Sequence, residues 1–283
     1  MNGLGDALAG MMNAAEQNAK QQMRVDDYVA EDGLIHCGKC RKARQTRINL
    51  FGTEHTVWCI CDCRKAEIEK MESDKRRDRI DLLKRDGFHD PTMAESTFEQ
   101  DDAPDSENSV MCRNYVSGFE RFYHSGKGLL LTGGVGTGKT FYASCIANAI
   151  MDKLHPVLVT SIGRFIRGME NEFGGKNEKI AYLDRFDLVV FDDFGVERNT
   201  PYSVESIYAI IDGRIRSGKP MVITTNIPLS ALKDTDNIDL ARIYDRIISK
   251  CIPIVFSGSN MRRKRIKETY ADDISFLKGE HNP

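Results

Sequence analysis

Gly133-Gly134-Val135-Gly136-Thr137-Gly138-Lys139-Thr140 is the stretch on which the fold turns. It fits G-x-x-x-x-G-K-[ST] at every fixed position. Gly128-Leu129-Leu130-Leu131-Thr132, just before it, is an apolar run of strand length. The residues from Lys139 to about Leu154 carry helical apolar periodicity. Strand, glycine turn and helix in that order form a cradle for phosphate. The glycines let backbone N–H groups curl around oxygen atoms, and the helix N-terminus adds partial positive charge. In such a loop Lys139 reaches the β and γ phosphates and the Thr140 hydroxyl ligates magnesium. The residues from Gly133 to Thr140 are therefore the candidate nucleotide-binding set.

Downstream, Asp187-Leu188-Val189-Val190-Phe191-Asp192-Asp193 reads as a buried strand ending in two carboxylates. Asp192 suits the magnesium shell, and Asp193 suits polarising an attacking water. An Asp at the water-activating position has a shorter reach than a Glu, so slow hydrolysis is expected. Thr224-Thr225-Asn226 ends a further strand, and Asn226 is a candidate to bond the water or the γ-phosphate; Asn after a strand is otherwise a common turn residue. Val157 to Thr160 and Ile252 to Phe256 complete a set of five short β-branched runs. Helical stretches from Ile162 to Phe173 and from Val204 to Arg216 lie between them. This alternation predicts an α/β fold with a five-stranded parallel sheet covered on both faces.

The order of these pieces resembles the AAA+ P-loop ATPases. Asp192-Asp193-Phe194-Gly195-Val196-Glu197, the spacing to Val222-Ile223-Thr224-Thr225-Asn226, and Ala241-Arg242-Ile243-Tyr244-Asp245-Arg246-Ile247 narrow the likeness. They resemble the DnaC/DnaI bacterial helicase loaders and, in large part, the related IstB transposition ATPases, over about residues 90 to 270. The resemblance implies an ATPase that works at subunit boundaries, loads a hexameric replicative helicase and holds single-stranded DNA. Arg246 matches the family's arginine finger, which enters a neighbour's nucleotide site, with Arg242 one turn earlier in support. Arg262 matches a second, cis-acting sensor arginine, although Arg263 follows it and the register is open. Only Arg263 to Pro283 remain after it, short of the family's full helical lid. The family's extra DNA-groove helix corresponds here to Arg164, Phe165, Arg167, Lys176 and Lys179. Basic residues beside an aromatic suit a groove that tracks phosphates and stacks bases.

Upstream, five of the eight cysteines fall between Cys37 and Cys63. Cys37-Gly38-Lys39-Cys40 and Cys59-Ile60-Cys61-Asp62-Cys63 have the spacing of a tetrahedral zinc site. Cys37, Cys40, Cys61 and Cys63 are the expected ligands, with Cys59 or His55 as substitutes. The cluster resembles the zinc-containing front end of phage and plasmid loaders, which implies that this region grips the helicase. A basic run of Lys39, Arg41, Lys42, Arg44 and Arg47 offers direct DNA contact instead. Arg64 to Asp86 reads as a solvated helix of alternating charge. From Asp86 to Met111 the chain is acidic, without Lys or Arg, and carries Pro91 and Pro104. That composition reads as a linker.

The expected organisation is a flexible tail over 1–24, a small helical zinc-binding domain that meets the helicase over 25–87, an acidic linker over 88–111, the ATPase domain over 112–270 and a tail over 271–283. At 283 residues, two domains accord with length. The net charge of -2 provides no global field for nucleic acid, so any DNA site is a local patch. No apolar run is long enough for a membrane span, and the first residues lack a signal-peptide core, so a cytoplasmic protein is expected. The cofactors implied are ATP, Mg2+ and Zn2+. Two rivals share the loop. One is a transposition ATPase that recruits a transposase to target DNA; the other is a zinc-containing adaptor that binds ATP and barely hydrolyses it.

Overall fold

The structure is a computed structural model that describes residues 23–171, 176–196, 200–258, 260, 270 and 274–278. Nearly all of the expected N-terminal tail, most of the C-terminal tail, and Arg262 and Arg263 lie outside the described residues. The chain forms two compact units, one ending at Asp78 and the other beginning at Arg79.

The first unit contains two antiparallel hairpins ahead of a helix. β1 (Tyr28–Val29) pairs with β2 (Ile35–His36), and β3 (Gln45–Leu50) pairs with β4 (Thr53–Trp58). The helix is α1 (Asp62–Gly87), which begins in this unit and continues into the next. The hairpins are not announced by composition, because β1 and β2 have only two residues each. A buried cation ties them together. Arg44 is ion-paired with Asp27 and lies over the Trp58 ring, 5.2 Å from its centroid. Three of the five residues in the expected DNA-contacting run, Lys39, Lys42 and Arg44, are ion-paired within the unit. Lys39 pairs with Glu67 at 3.3 Å, Lys42 pairs with Asp62, and Arg47 donates to the Asp32 carbonyl at 2.8 Å.

The second unit is built on a five-stranded parallel sheet. Its strands are β5 (Gly128–Gly133), β6 (Val157–Ser161), β7 (Leu188–Phe194), β8 (Met221–Thr225) and β9 (Cys251–Phe256), in the order β6-β7-β8-β5-β9. Alternate residues feed opposite faces. Leu129, Leu131, Val157, Val159, Leu188 and Val190 join one core, while Leu130, Leu158, Val189 and Phe191 join the other. The first face is covered by α3 (Glu107–Ser117), α4 (Phe119–Ser125) and α5 (Lys139–Met151), the second by α6 (Ile162–Asn171), α8 (Pro201–Arg216) and α10 (Ile238–Lys250). Three short helices, α2 (Pro91–Ala94), α7 (Lys176–Tyr182) and α9 (Leu229–Lys233), lie between α1 and α10 in the chain. Fully buried Arg214 pins the entry to β7. Its guanidinium donates to the carbonyls of Leu183, Phe186, Asp187 and Pro220 at 2.8–3.1 Å.

Two expectations are corrected here. Residues 88–111 are not a linker but part of the folded second unit, and the boundary lies earlier than residue 87. Leu83, Phe88, Met93, Ala94 and Phe98 pack into the first core, and Phe88 bridges to Val159 at the sheet edge. The polar residues that suggested a linker start helices instead. The Asp90 carboxylate accepts the Thr92 N–H at 3.0 Å with Pro91 in the first helical position, and Ser106 caps α3 by accepting the Ser109 N–H. The second correction concerns Phe165, which is 7% exposed and belongs to the core together with Ile162, Ile166 and Met169. These four recur at helical spacing on the buried side of α6, so the ring cannot stack on a base. Arg164 and Arg167 remain exposed on the outer side.

Candidate functional site

The phosphate loop joins β5 to α5 as the sequence reading expects. Gly133 stands at φ +151°, where a Cβ would come within 2.1 Å of the Phe256 carbonyl on the neighbouring strand. Gly138, at φ +97°, opens α5 in a conformation that L side chains resist. Lys139 is 5% exposed, and its ammonium donates to the carbonyls of Gly133 and Gly134 at 2.9 and 2.7 Å and to Asn226 Oδ1 at 2.8 Å. An ammonium has three donors and no acceptor. Those three oxygens are neutral groups that a phosphate can replace.

The two aspartates sit on an irregularity in β7. Phe191 pairs with Ile223 and Phe194 with Thr225, so β7 has one residue more than β8 across this interval. Such a bulge re-aims side chains. Asp193, at φ +55°, is exposed toward the cleft, while Asp192 is drawn into a hydrogen-bonded set. The Thr140 hydroxyl donates to Asp192 at 3.0 Å and the Thr224 hydroxyl at 2.7 Å. Thr224 also accepts the Asp193 N–H at 2.9 Å, and Thr225 donates to the Phe194 carbonyl at 2.8 Å. The Thr-Thr-Asn strand end thus positions both carboxylates. The motif is visible in sequence, but the supporting role of the threonines is not.

Beside these groups lies a cavity of about 590 Å³. Lys139, Thr140, Asp193 and Asn226 occupy one part of its wall, and Asp101, Asp102, Ala103, Ser106 and Asn108 another. The second set comes from the stretch that sequence reading assigned to a linker. Asp101 accepts from the Tyr142 hydroxyl at 2.8 Å and from the Ser109 hydroxyl at 2.5 Å. Burial raises its pKa, but hydrogen bonds from Ser109, the Ala103 N–H and Tyr142 outweigh this and leave the carboxyl below its ordinary value. No local signal marks these residues as cleft wall, because the contact with Tyr142 spans 41 positions. Asn260 reaches the loop from the C-terminal side, where a Cβ on Gly136 would meet its side chain at 2.1 Å.

The oxygen donors of Thr140 and Asp192, adjacent and hydrogen-bonded, are the hard ligand type that suits Mg2+. Arg246, on α10, contacts its own chain. It donates to the Tyr208 hydroxyl at 2.6 Å, pairs with Asp212 at 2.8 Å, and lies over the Tyr208 ring. Arg242 is exposed on the same helix. Of the DNA-groove candidates, Arg164 donates to the His89 carbonyl at 2.7 Å and Lys179 to the Gly168 carbonyl at 2.7 Å.

In the first unit the sulfurs of Cys37, Cys40, Cys61 and Cys63 all lie within 4.8 Å of one another. Tetrahedral zinc with bonds of about 2.3 Å needs sulfurs roughly 3.8 Å apart, so the cluster is of the right size. Cys59 is not in this set, because its thiol donates to the Ala43 carbonyl at 3.2 Å. His55 is not in it either. The Cys40 N–H, aided by that of Lys39, holds the Cys37 thiol down at about 6 against the effect of burial. Cys63, crowded by the Cys61 and Cys37 sulfurs, is pushed up to about 12. A cation at the centre would let all four ionise together.

Comparison with known proteins follows the same lines. The family model described as IstB-like ATP binding protein matches residues 69–269. The chain is 26% identical over 208 residues to the replicative helicase loader DnaI of Bacillus subtilis (strain 168), covering 68% of this chain and 66% of DnaI. It is 26% identical over 163 residues to the replicative helicase loader DnaC of Escherichia coli (strain K12), covering 56% of this chain and 64% of DnaC. An ATP-binding protein in an insertion sequence of Mycobacterium tuberculosis is 26% identical over 209 residues, covering 71% of this chain and 80% of that protein. Among solved structures, a crystal structure of DnaI superposes with a TM-score of 0.51 at 23% identity, over 62% of this chain and 95% of that one. The DnaC helicase loader superposes with a TM-score of 0.50 at 21% identity, over 59% of this chain and 100% of that one. These structural matches establish an AAA+-type fold.

Proposed function

The chain belongs to the IstB-like ATP-binding protein family, and on that footing we propose that it hydrolyses ATP to place a replicative DNA helicase on single-stranded DNA. The ATPase part rests on the cleft. Incoming phosphates would take over the Lys139 donors now met by Gly133, Gly134 and Asn226. Thr140 and Asp192 would hold magnesium, which when bound offsets charge on the phosphoryl oxygens. Asp193 would accept the proton of an attacking water as the water oxygen bonds to the γ-phosphorus. The bond to the bridging oxygen breaks, and ADP and phosphate leave. Asn226, released from Lys139, would orient the water or the γ-phosphate. Arg246 of an adjacent subunit would stabilise the developing charge, with Arg242 in support, and Arg262 would act from the chain's own C-terminal side.

The observation that carries the loader reading is the unit with the four-cysteine cluster ahead of most of the family-matched residues. Two relatives named as replicative helicase loaders support it. A closed set of four sulfurs makes a structural zinc site, because a catalytic one keeps an open position. That unit is the proposed helicase grip, and exposed Arg164 and Arg167 on α6 are the proposed DNA contacts. A transposition role is the second reading, favoured by the 80% coverage of the insertion-sequence relative. Co-purification with the replicative helicase of the same genome separates the two. The full chain is expected to retain the helicase, and a chain lacking residues 1–78 is expected to lose it. A full chain that captures no helicase overturns the loader reading. An ATP-binding adaptor that barely turns over is separated by comparing hydrolysis of the wild type with that of Asp193→Asn.

A further inference from the structure

The β3–β4 hairpin closes through a two-residue loop, because Leu50 pairs with Thr53 and leaves only Phe51 and Gly52 between them. Both loop residues stand at positive φ, +53° and +84°. That is the requirement of a type I′ turn, whose favoured sequence is Asn-Gly. Gly52 meets it without strain, and its N–H donates to Asn49 Oδ1 at 3.0 Å. Phe51 does not, since a bulky L side chain in the left-handed region crowds its own backbone. Nor does packing offset this, because the Phe51 side chain is fully solvent-exposed (103%), and Leu50 beside it is 49% exposed. The free protein thus carries a strained turn and a bare aromatic ring at the same position. Asparagine would relieve both, so the ring has its use in a bound state.

The chemistry of the tip indicates what covers it. Residues 48–58, Ile-Asn-Leu-Phe-Gly-Thr-Glu-His-Thr-Val-Trp, contain no Lys or Arg and one acid, Glu54. The nearest cation before them, Arg47, donates to the Asp32 carbonyl. Nucleic-acid binding draws its affinity from cations on phosphates, and a stacking ring without them is a weak site. A single aromatic anchor seated in a desolvated pocket is the usual hot spot of a protein interface. Resting on the loader reading, we propose that Phe51, flanked by Leu50, is the anchor of the first unit and inserts into an apolar pocket on the replicative helicase.

The test uses the full chain, the purified helicase and Phe51→Asn, with Phe51→Tyr as the conservative control. Phe51→Asn relieves the turn, so its melting temperature and zinc content should equal or exceed those of the wild type. Its affinity for the helicase should nevertheless fall at least tenfold, while Phe51→Tyr stays within a few-fold of wild type. Helicase binding that survives Phe51→Asn unchanged overturns the inference and leaves the loader reading standing. Loss of single-stranded DNA binding with helicase binding intact also overturns it, because the ring would then be a base-stacking element. Absence of helicase binding by the wild type overturns the loader reading and this inference together.

Discussion

One extra residue in β7 turns two adjacent aspartates to different surroundings. Asp192 faces the Thr140 and Thr224 hydroxyls, and Asp193, at φ +55°, faces the cleft. Arg246 is held at the surface of α10 by Asp212 and Tyr208. If Asp193 takes the water's proton, Asp193→Asn should lower steady-state ATP turnover by about 100-fold or more with nucleotide affinity nearly unchanged. If Arg246 acts across a boundary, Arg246→Ala should have a similar effect. An equimolar mixture of the two variants should then recover part of the turnover, since one boundary type combines an intact Asp193 with an intact Arg246. A mixture no more active than the separate variants would place Arg246 outside the catalytic boundary. At this scale the sequence is most legible. The loop, the two aspartates and Asn226 are named by local motif, and the structure gathers Lys139, Asp193 and Asn226 around one cleft with Asp192 bonded to Thr140 beside them. The motif cannot reveal that Thr224 orients Asp192, because that contact spans 32 positions and depends on the pairing of β7 with β8.

At the scale of elements, the segment between α1 and α3 shows where composition misleads. Its Asp90 caps a helix that Pro91 begins, and its Asp101 is a largely buried acceptor. Asp101 has a depressed pKa, so its stabilising contribution is fully present above the unfolded carboxylate value of about 3.9. It is lost as pH falls below that through the lower folded value. Asp101→Asn should therefore destabilise the protein by about 2 kcal/mol at neutral pH. The gap from wild type should close progressively below about pH 4. Urea unfolding of both proteins from pH 7 to pH 3 measures it, and a gap that widens toward acid would refute the assignment. The helix α6 teaches a similar lesson about side. Arg164, Phe165 and Arg167 are near in sequence, yet helical geometry sends the aromatic inward and the arginines outward.

At the scale of the whole molecule, the two units draw on different sources of stability. The second has two apolar cores against its sheet, while the first has short hairpins, a buried Arg44–Asp27 pair and a cluster of four thiols. A unit of that size depends on a staple. Removal of zinc with a strong chelator, or Cys40→Ser, should therefore unfold the first unit while ATP binding by the second persists. Zinc analysis with thermal unfolding measures this, and fresh protein with well under one equivalent of zinc would sink the assignment. Among the described residues no helix is long and apolar enough to cross a membrane.

Chain-local patterns identify the phosphate loop, the five strands of a parallel sheet, and the four cysteines whose sulfurs cluster, to the exclusion of Cys59 and His55. Each of these is written in local spacing: glycines that a tight turn demands, β-branched runs of strand length, and thiols at knuckle distance. Where the first unit ends, that the acidic stretch forms a wall of the nucleotide cavity, that Lys39, Lys42 and Arg44 are ion-paired within the first unit, and that Phe51 is left in water while Phe165 is buried all follow from tertiary contacts. Those outcomes depend on which distant groups meet, and on the balance between burying a side chain and satisfying its charge or backbone. Neither is encoded in any single stretch of chain.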